Sequence, residues 1–332
     1  MKKIGINGFG RIGRLAARVL LTRFADQVEL PIINASTSMD VEGWAHLFQF
    51  DSTYRRFPGS VQVEGDFIIV NDKKIYLNRT RNPEEIPWGE YGVDTVIEST
   101  GVFKDAEGMR KHLRDSVQKV VLSAPTKDDQ VTTVVKGIND QDAISNQLIS
   151  NASCTTNCVS PVTQVILDSF GIEKAAMTTI HSYTSDQSLQ DGSHSDLRRS
   201  RAAAQNIIPT STGAAIATTK VIPQLTNKFD GIAVRVPTIT GSLTDFTFIT
   251  SQDVTIDQVN QAFFDAAHSD RFHDYLYVSK KPLVSSDIIG VEASAIVDLT
   301  LTQVIDGNLL KVYAWYDNEW GYTNRLCEQA ID

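Results

Sequence analysis

The sequence predicts an α/β protein that begins with a Rossmann-type doubly wound parallel sheet and continues with an α+β domain containing a mostly antiparallel sheet. Short apolar strands alternate with helical patterns through residues 1–150, and a glycine-rich turn joins the first strand to the first helix. Longer alternating strands follow in the second half. The 332 residues, 42% of them hydrophobic, suffice for two cores. We expect domains over 1–153 and 154–317, with a terminal helix over 318–332 completing the first.

The first strand pattern, Lys3–Asn7, leads directly into Gly8-Phe9-Gly10-Arg11-Ile12-Gly13, and a helical pattern follows over Arg14–Phe24. A glycine turn with a strand before it and a helix after it is typical of dinucleotide binding, since the pyrophosphate lies on the helix N-terminus. A plain glycine turn is the alternative. We predict a nicotinamide dinucleotide site here.

The second strand, Val28–Asn34, lacks the acidic residue that usually binds the adenosine ribose. It ends in Asn34-Ala35-Ser36-Thr37-Ser38, and Asp40 comes too late to replace that acid with confidence. A carboxylate at this point would repel a 2′-phosphate, whereas small hydroxyl residues can donate hydrogen bonds to one. The sequence therefore indicates that NADP is usable as well as NAD, unless the loop is merely variable.

Four further strand patterns are predicted in the first half. They are Ser60–Val70, Lys74–Leu77, Val93–Ile97 and Lys119–Leu122. The last two run into Ser99-Thr100 and Ser123. Such strand ends suit a ligand that lies across the carboxyl edge of a parallel sheet.

The segment Asn151–Cys158 predicts a nucleophile. Ser153 is a candidate N-cap for a helix that continues over Val159–Phe170, so Cys154 lies in its first turn. Backbone N–H groups and the helix dipole favour thiolate there, whereas a free cysteine is only about 3% ionised at pH 7. A buried structural cysteine is the alternative, which the polar surroundings disfavour. Cys158 has neither zinc nor redox spacing and is assigned to packing, so no metal is expected.

His181 follows the apolar strand Lys174–Ile180 and precedes a polar segment. With an unperturbed pKa near 6.5, it can accept a proton from a thiol and return it later. It is therefore a candidate base, and a structural histidine is the alternative.

The second half also contains candidate anion contacts. The loop Leu189–Asn206 carries three arginines, Arg198, Arg199 and Arg201, which indicate an interface or anion contacts unless the loop is simply solvated. Pro209–Ala215, with Thr212 and Gly213, is predicted to open a helix that reaches about Ile222, and a helix start can bind an anion. In the strand Gly231–Val236, Arg235 needs a partner, and a phosphate suits its donor fork. Further elements are predicted over Ser242–Thr250, Ile256–Ala267, Ala293–Ile305 and Leu309–Tyr316.

Composition excludes several classes of protein. The net charge of −9 gives no basic surface for nucleic acid, and no apolar stretch is long enough to span a membrane. Three cysteines indicate a reducing compartment. We expect a soluble cytoplasmic protein.

Five segments resemble the phosphorylating glyceraldehyde-3-phosphate dehydrogenases, and the likeness extends from residue 2 to about 326. They are Ile6–Arg14, Ser150–Cys158, Thr178–His181, Asn206–Ala215 and Trp315–Glu319. The resemblance implies a homotetramer that oxidises an aldehyde phosphate with NAD or NADP and inorganic phosphate. It implies Cys154 as the nucleophile and His181 as the base.

The resemblance also implies the contacts of the substrate and the cofactor. Phosphate groups would be held by Ser153, Thr155, Thr184, Arg199, Thr212, Gly213 and Arg235. The cofactor would be held by Gly8, Gly10, Arg11, Ile12, Gly13, Asn34, Ala35, Arg81, Ser99, Thr100, Ser123, Ser193, Asn318 and Tyr322, with Asn318 on the nicotinamide amide.

Three departures from the family pattern qualify this interpretation. Ala35 replaces the usual aspartate, and Gly192-Ser193 stands where NAD-specific members tend to have Leu-Pro, so both favour NADP use. Thr238-Ile239-Thr240-Gly241 replaces the common Thr-Pro-Asn-Val. Erythrose-4-phosphate dehydrogenase is the enzyme alternative, but Thr184, Thr212 and Gly213 favour the three-carbon substrate. A non-catalytic binding protein is the other alternative, which the intact set of site residues disfavours.

Overall fold

The computed structural model describes residues 1–332 and consists of two compact units. The N-terminal unit comprises Met1–Val134, Asn139–Ala152 and Thr323–Asp332, and the C-terminal unit comprises Val135–Ile138 and Ser153–Tyr322. The assignment of cofactor binding to one unit and substrate binding to the other stays a prediction.

The N-terminal unit contains a nine-stranded sheet with flanking helices. Its elements are β1 (Lys2–Asn7), α1 (Arg11–Thr22), β2 (Val28–Asn34), α2 (Val41–Gln49), β3 (Phe50–Asp51), β4 (Arg55–Arg56), β5 (Val61–Glu64), β6 (Phe67–Val70), β7 (Lys73–Asn78), β8 (Thr95–Glu98), α3 (Ala106–Arg110), β9 (Lys119–Leu122), β10 (Thr132–Thr133), α4 (Gln141–Ser145) and β11 (Leu148–Ser150). The strand order is β10-β11-β9-β8-β1-β2-β7-β6-β5, parallel from β10 to β7 and antiparallel beyond. The predicted doubly wound sheet is confirmed.

The central strands of this sheet are apolar because both of their faces are covered. Ile4 and Ile6 of β1 and Val96 and Ile97 of β8 have no exposed surface. β1 has β2 on one side and β8 on the other, so the strand order reverses between β1 and β8. Ligands of such sheets bind at this reversal, outside the carboxyl ends of the strands.

The C-terminal unit contains an eight-stranded, mostly antiparallel sheet, as predicted. Its elements are α5 (Cys154–Phe170), β12 (Ile172–Ser182), β13 (Ile208–Ser211), α6 (Ala214–Val221), β14 (Phe229–Val236), β15 (Ser242–Thr250), α7 (Ile256–Ala267), β16 (Leu276–Ser279), β17 (Ala295–Asp298), β18 (Gln303–Ile305) and β19 (Leu309–Tyr316). The order is β13-β14-β12-β15-β19-β17-β16, with β18 on β19. Only β12–β14 and β16–β17 pair in parallel. The last helix is α8 (Trp320–Ile331).

Three predicted elements differ in the structure. Ser60–Val70 is not one strand, because Gly65 at φ 59° turns the chain between β5 and β6. Ile208–Ser211 pairs with β14 as a strand, so the helix expected from Pro209 begins only at Ala214. Ala293–Ile305 contains two short strands, β17 and β18, instead of one.

None of the helices combines the length and the apolar character that a membrane span requires.

Candidate active site and nucleotide pocket

Cys154 is the first residue of α5. Ser153 caps the helix, because its Oγ accepts a hydrogen bond from the N–H of Thr156 at 3.1 Å. The cap leaves the first-turn N–H groups near the cysteine, and the backbone N–H groups of Cys154 and Thr155 lie close to its sulfur. Cys158, one turn later, is fully buried.

His181 lies beside Cys154. Its Nε2 is 3.3 Å from the cysteine Sγ, and its Nδ1 is 2.6 Å from the carbonyl oxygen of Ser182. Arg235 Nη1, which can only donate, is also 3.1 Å from Nδ1, but the 2.6 Å contact with the carbonyl oxygen is the shorter one. A carbonyl oxygen can only accept, so we assign the ring proton to Nδ1. The unprotonated Nε2 therefore faces the thiol. This tautomer is the one that a general base requires.

The protein environment shifts the pKa values of both groups. Cys154 keeps part of its surface exposed, but the surrounding protein removes water from its thiol, which raises the pKa. The positive charge of Arg235 and the nearby N–H groups act against this rise. Burial, followed by the charge of Arg235, lowers the pKa of His181 to about 3. The imidazole is therefore neutral and available as a base at physiological pH. The helix start favours thiolate as the sequence predicts, but burial opposes it.

Arg235 occupies the neighbouring strand, where it pairs in register with His181. Its Nη1 is 3.1 Å from the Ser182 carbonyl oxygen and 3.4 Å from the Thr184 hydroxyl. Its Nε is buried and makes no hydrogen bond within the protein. A buried guanidinium donor without a partner fits an anionic ligand.

Arg199, by contrast, is already engaged by protein groups. It donates to the carboxylate of Asp186 at 2.8 Å, to the Thr210 hydroxyl at 2.9 Å and to the Ser211 carbonyl oxygen at 3.0 Å. These contacts bring the basic loop close to β13. A direct contact of Arg199 with a phosphate stays a prediction.

The other predicted phosphate residues lie at two helix starts. Thr155 is buried in the first turn of α5, and its hydroxyl is 3.0 Å from the Tyr316 hydroxyl. Gly213 precedes α6 without a side-chain cap, and the Thr212 hydroxyl accepts from the N–H of Ala214 at 3.2 Å.

Sequence reasoning missed Tyr316. Its hydroxyl also lies 2.8 Å from that of Thr179, and its ring packs edge-on against His181. The only available signal was a tyrosine at the end of a long strand.

The N-terminal unit contains a cavity of about 440 Å³ at the point where the strand order reverses. Seven predicted cofactor residues line it: Gly8, Gly10, Asn34, Ala35, Arg81, Ser99 and Thr100. Ile12 and Gly13 lie in α1, Ser123 follows β9, and Arg11 forms an ion pair with Asp51 at 2.5 Å. Sequence reasoning missed Trp44, Thr80, Val102 and Phe103, because their segments carry no glycine or strand-tip signal.

The glycines of this pocket fit a dinucleotide. Gly8 has φ 99°, and a Cβ on it would lie 2.6 Å from the backbone of Ser99. A Cβ on Gly13 would lie 1.9 Å from the Gly8 carbonyl oxygen. Gly10 differs, since a Cβ there would meet no protein atom within 4 Å. It caps α1 without a side-chain hydrogen bond, so both the space and the helix start suit a pyrophosphate.

The tip of β2 presents hydroxyl groups and no carboxylate. Ala35 is buried. Ser36 and Ser38 are exposed, and their hydroxyl oxygens are hydrogen-bonded to each other at 2.5 Å. Asp40 instead caps α2, where it accepts from the N–H of Gly43 at 2.9 Å, and it does not line the cavity.

The remaining predicted cofactor residues belong to the C-terminal unit. Ser193 is exposed in the basic loop, and Tyr322 is buried in α8. Asn318 is 6% exposed, and its Oδ1 accepts three hydrogen bonds.

A larger cavity of about 700 Å³ lies between α5 and α7 and contains none of the predicted residues.

Two family models match the chain. Residues 2–106 match "Glyceraldehyde 3-phosphate dehydrogenase, NAD binding domain", and residues 153–318 match "Glyceraldehyde 3-phosphate dehydrogenase, C-terminal domain". The glyceraldehyde-3-phosphate dehydrogenase of Streptomyces coelicolor is 48% identical over 331 residues, which cover 99% of this chain and 97% of the relative. The protein of the same name from Mycobacterium tuberculosis is 49% identical over 330 residues, 98% and 96% of the two chains. That from Zymomonas mobilis is 46% identical over 329 residues, 99% and 97% of the two chains.

Proposed function

This chain belongs to the glyceraldehyde 3-phosphate dehydrogenase family, and from that premise we propose that it oxidises D-glyceraldehyde 3-phosphate with inorganic phosphate to 1,3-bisphosphoglycerate. The observation that carries the proposal is the 3.3 Å contact between Cys154 Sγ and the unprotonated Nε2 of His181. A thiol next to a base in an orienting hydrogen bond is the arrangement that covalent catalysis on a carbonyl needs.

The first step uses the two residues together. Nε2 takes the thiol proton, and the sulfur attacks the aldehyde carbon to form a thiohemiacetal. The protonated ring, held at Nδ1 by the Ser182 carbonyl oxygen, and the N–H of Cys154 stabilise the oxyanion. The ring gives its proton to the oxyanion, which completes the thiohemiacetal hydroxyl, and takes that proton back as a hydride leaves the carbon for the acceptor. Cys154 is then left as a thioester. Attack by phosphate on that thioester releases the acyl phosphate and frees the thiol.

Two anion sites serve this chemistry. Arg235 and Thr184 hold the phosphate of the substrate, and the donors that Arg235 leaves without protein partners support this role. Ser153, Thr155, Thr212 and Gly213 hold the attacking phosphate at the starts of α5 and α6. Arg199 assists from the basic loop through its ion pair with Asp186.

A nicotinamide dinucleotide supplies the hydride acceptor when bound. The residues that hold it are Gly8, Gly10, Arg11, Ile12, Gly13, Asn34, Ala35, Arg81, Ser99, Thr100, Ser123, Ser193, Asn318 and Tyr322. The family match includes an NAD binding domain. We extend the proposal to NADP, because Ser36 and Ser38 stand where a carboxylate would repel the 2′-phosphate.

We further propose a cytoplasmic homotetramer. The loop Leu189–Asn206 and the residue after it expose three large apolar side chains, Leu189 (84%), Leu197 (81%) and Ile207 (71%). A subunit interface would bury them. Light scattering coupled to size exclusion tests the assembly, and a monomer at micromolar concentration would contradict it.

One assay matrix tests the activity: glyceraldehyde 3-phosphate and erythrose 4-phosphate, each with NAD and NADP, with and without phosphate. We expect phosphate-dependent turnover of the three-carbon substrate. Its absence, or its independence from phosphate, would overturn the proposal. No observation favours erythrose 4-phosphate, and a higher kcat/KM for it would reverse that assignment. Cofactor binding without any turnover would indicate the non-catalytic alternative.

A further inference from the structure

The loop between β14 and β15 converges on the side chain of Asn318. Its Oδ1 accepts from the Thr240 hydroxyl at 3.2 Å, the Gly241 N–H at 3.1 Å and the Ser242 hydroxyl at 3.0 Å. Thr240 is 2% exposed and Ser242 is fully buried. The Gly241 N–H and the Ser242 hydroxyl occupy the two lone pairs of this oxygen, so it has no capacity left for a ligand. The single proton of the Thr240 hydroxyl lies equally close to Asp317 Oδ1, at 3.2 Å.

These donors fix the orientation of the amide. A backbone N–H can only donate, so the group facing Gly241 has to be the oxygen of Asn318. The Ser242 contact supports this orientation of the amide. The Ser242 Oγ already accepts a hydrogen bond from the Ser182 N–H at 3.2 Å, so its own proton is available to donate to Asn318 Oδ1. The Nδ2 of Asn318 makes no hydrogen bond within the protein, although the residue is 94% buried. The free group is therefore a donor.

Gly241 can occupy this position only as glycine. It has φ 88°, and a Cβ would lie 2.4 Å from the carbonyl oxygen of Ser285. The left-handed backbone turns its N–H towards Asn318. Thr240 and Gly241 are also two of the residues that depart from the segment common in the family.

We propose that Thr240 and Gly241 are positioning residues that keep Asn318 Oδ1 turned towards the loop between β14 and β15. Nδ2 then points away from this loop and donates to the carboxamide oxygen of the nicotinamide. This rests on the proposed role of Asn318 in cofactor binding. The carboxamide then meets a donor and no acceptor, so only one of its two rotamers is accommodated. The arrangement fixes the rotation of the nicotinamide ring.

The test removes the Thr240 hydroxyl, and with it the contacts of that hydroxyl with Asn318 and with the Asp317 carboxylate. Thr240→Val should raise the KM for NAD about fivefold, as expected for one neutral hydrogen bond. Thr240→Ser should stay within about twofold of the parent protein. In an Asn318→Ala background, Thr240→Val should add nothing, because the effect on NAD binding runs through that amide and not through the contact of the hydroxyl with the Asp317 carboxylate. A full additional effect in that background would mean a structural role and would overturn the proposal, as would an unchanged KM in the single variant.

A cofactor analogue tests the same inference on the unaltered protein, should Thr240→Val fail to fold. The 3-acetylpyridine dinucleotide keeps the carbonyl oxygen and lacks the amide N–H₂, so it should bind within about threefold of NAD. Binding weaker by tenfold or more would mean that Asn318 accepts from the cofactor, contrary to the proposal. Unchanged NAD binding by Asn318→Ala would instead refute the role of Asn318 itself.

Discussion

The Nε2 of His181 lies 3.3 Å from the Sγ of Cys154, and its Nδ1 is committed to the Ser182 carbonyl oxygen. The ring therefore has one site for a proton, and that site faces the thiol. Because burial and the charge of Arg235 lower the pKa of His181 to about 3, this site is empty at neutral pH. The pair is prepared to transfer a proton when a carbonyl carbon arrives to accept the sulfur.

Replacing Cys154 should separate chemistry from cofactor binding. Cys154→Ser keeps the shape but replaces the thiol with a hydroxyl of much higher pKa, so turnover should fall at least about 10³-fold. The NAD dissociation constant, measured by fluorescence titration, should stay within about twofold. Cys158→Ala is the matched control, because that buried residue only packs. Turnover by Cys154→Ser above a hundredth of the parent rate would remove Cys154 as the nucleophile.

The pH profile of thiol alkylation should report the partnership of the two residues. His181→Asn removes the imidazole that takes the thiol proton as the sulfur attacks, so iodoacetamide should react at least about tenfold more slowly at pH 7. The rate should then increase about tenfold per pH unit, since the thiolate remains a minor species. His268→Asn, on an exposed histidine, should leave the profile unchanged. Equal profiles for His181→Asn and the parent protein would contradict the proposed base.

Much of the fold follows from the sequence because local pattern and final environment agree. The bounds of β2, β9, β15, β19 and α7 are the predicted ones. Their apolar periodicity matches the covered faces, and α7 has a capping box at Thr255 and Gln258. β13 was missed because Ile208–Ser211 is a strand only through its pairing with β14. Such a partner, distant in sequence, leaves no local signal.

The candidate site likewise contains residues that have a local sequence signal and contacts that have none. Cys154 and His181 could be identified because the apolar pattern of a strand ends just before each of them, and each has the chemistry the position needs. In the structure His181 is the penultimate residue of β12. The burial of Cys154 and the contact of Thr155 with Tyr316 could not, since each requires elements distant in sequence to pack together. The tautomer of His181 could not either, because it depends on how the ring is turned towards the Ser182 carbonyl oxygen. The role of Thr240 was equally hidden, because its partner Asn318 is 78 residues away.

Arg235 should contribute to binding only when the substrate carries a phosphate. Arg235→Leu removes a charge-assisted donor fork worth about 1.5–3 kcal/mol, so the KM for glyceraldehyde 3-phosphate should rise about 10- to 150-fold. Arg235→Lys should recover part of the loss, because it keeps the charge without the fork. With unphosphorylated glyceraldehyde, the three proteins should differ by less than about fivefold in KM. An equal loss on both aldehydes would show that Arg235 acts on the thiol–imidazole pair instead.

Ala35 should decide whether NADP is used. Ala35→Asp restores a carboxylate at the tip of β2, where it would accept from the ribose hydroxyls of NAD and repel the 2′-phosphate of NADP. A like-charge contact of about 1–3 kcal/mol predicts that the ratio of kcat/KM for NADP to that for NAD falls about 5- to 150-fold. Asp40→Asn is the matched control, since Asp40 caps α2 and does not line the cavity, so the ratio should stay constant there. If the parent protein already prefers NAD by more than about 100-fold, the NADP proposal is wrong, and a fall in the Asp40→Asn ratio would identify Asp40 as the residue facing the ribose.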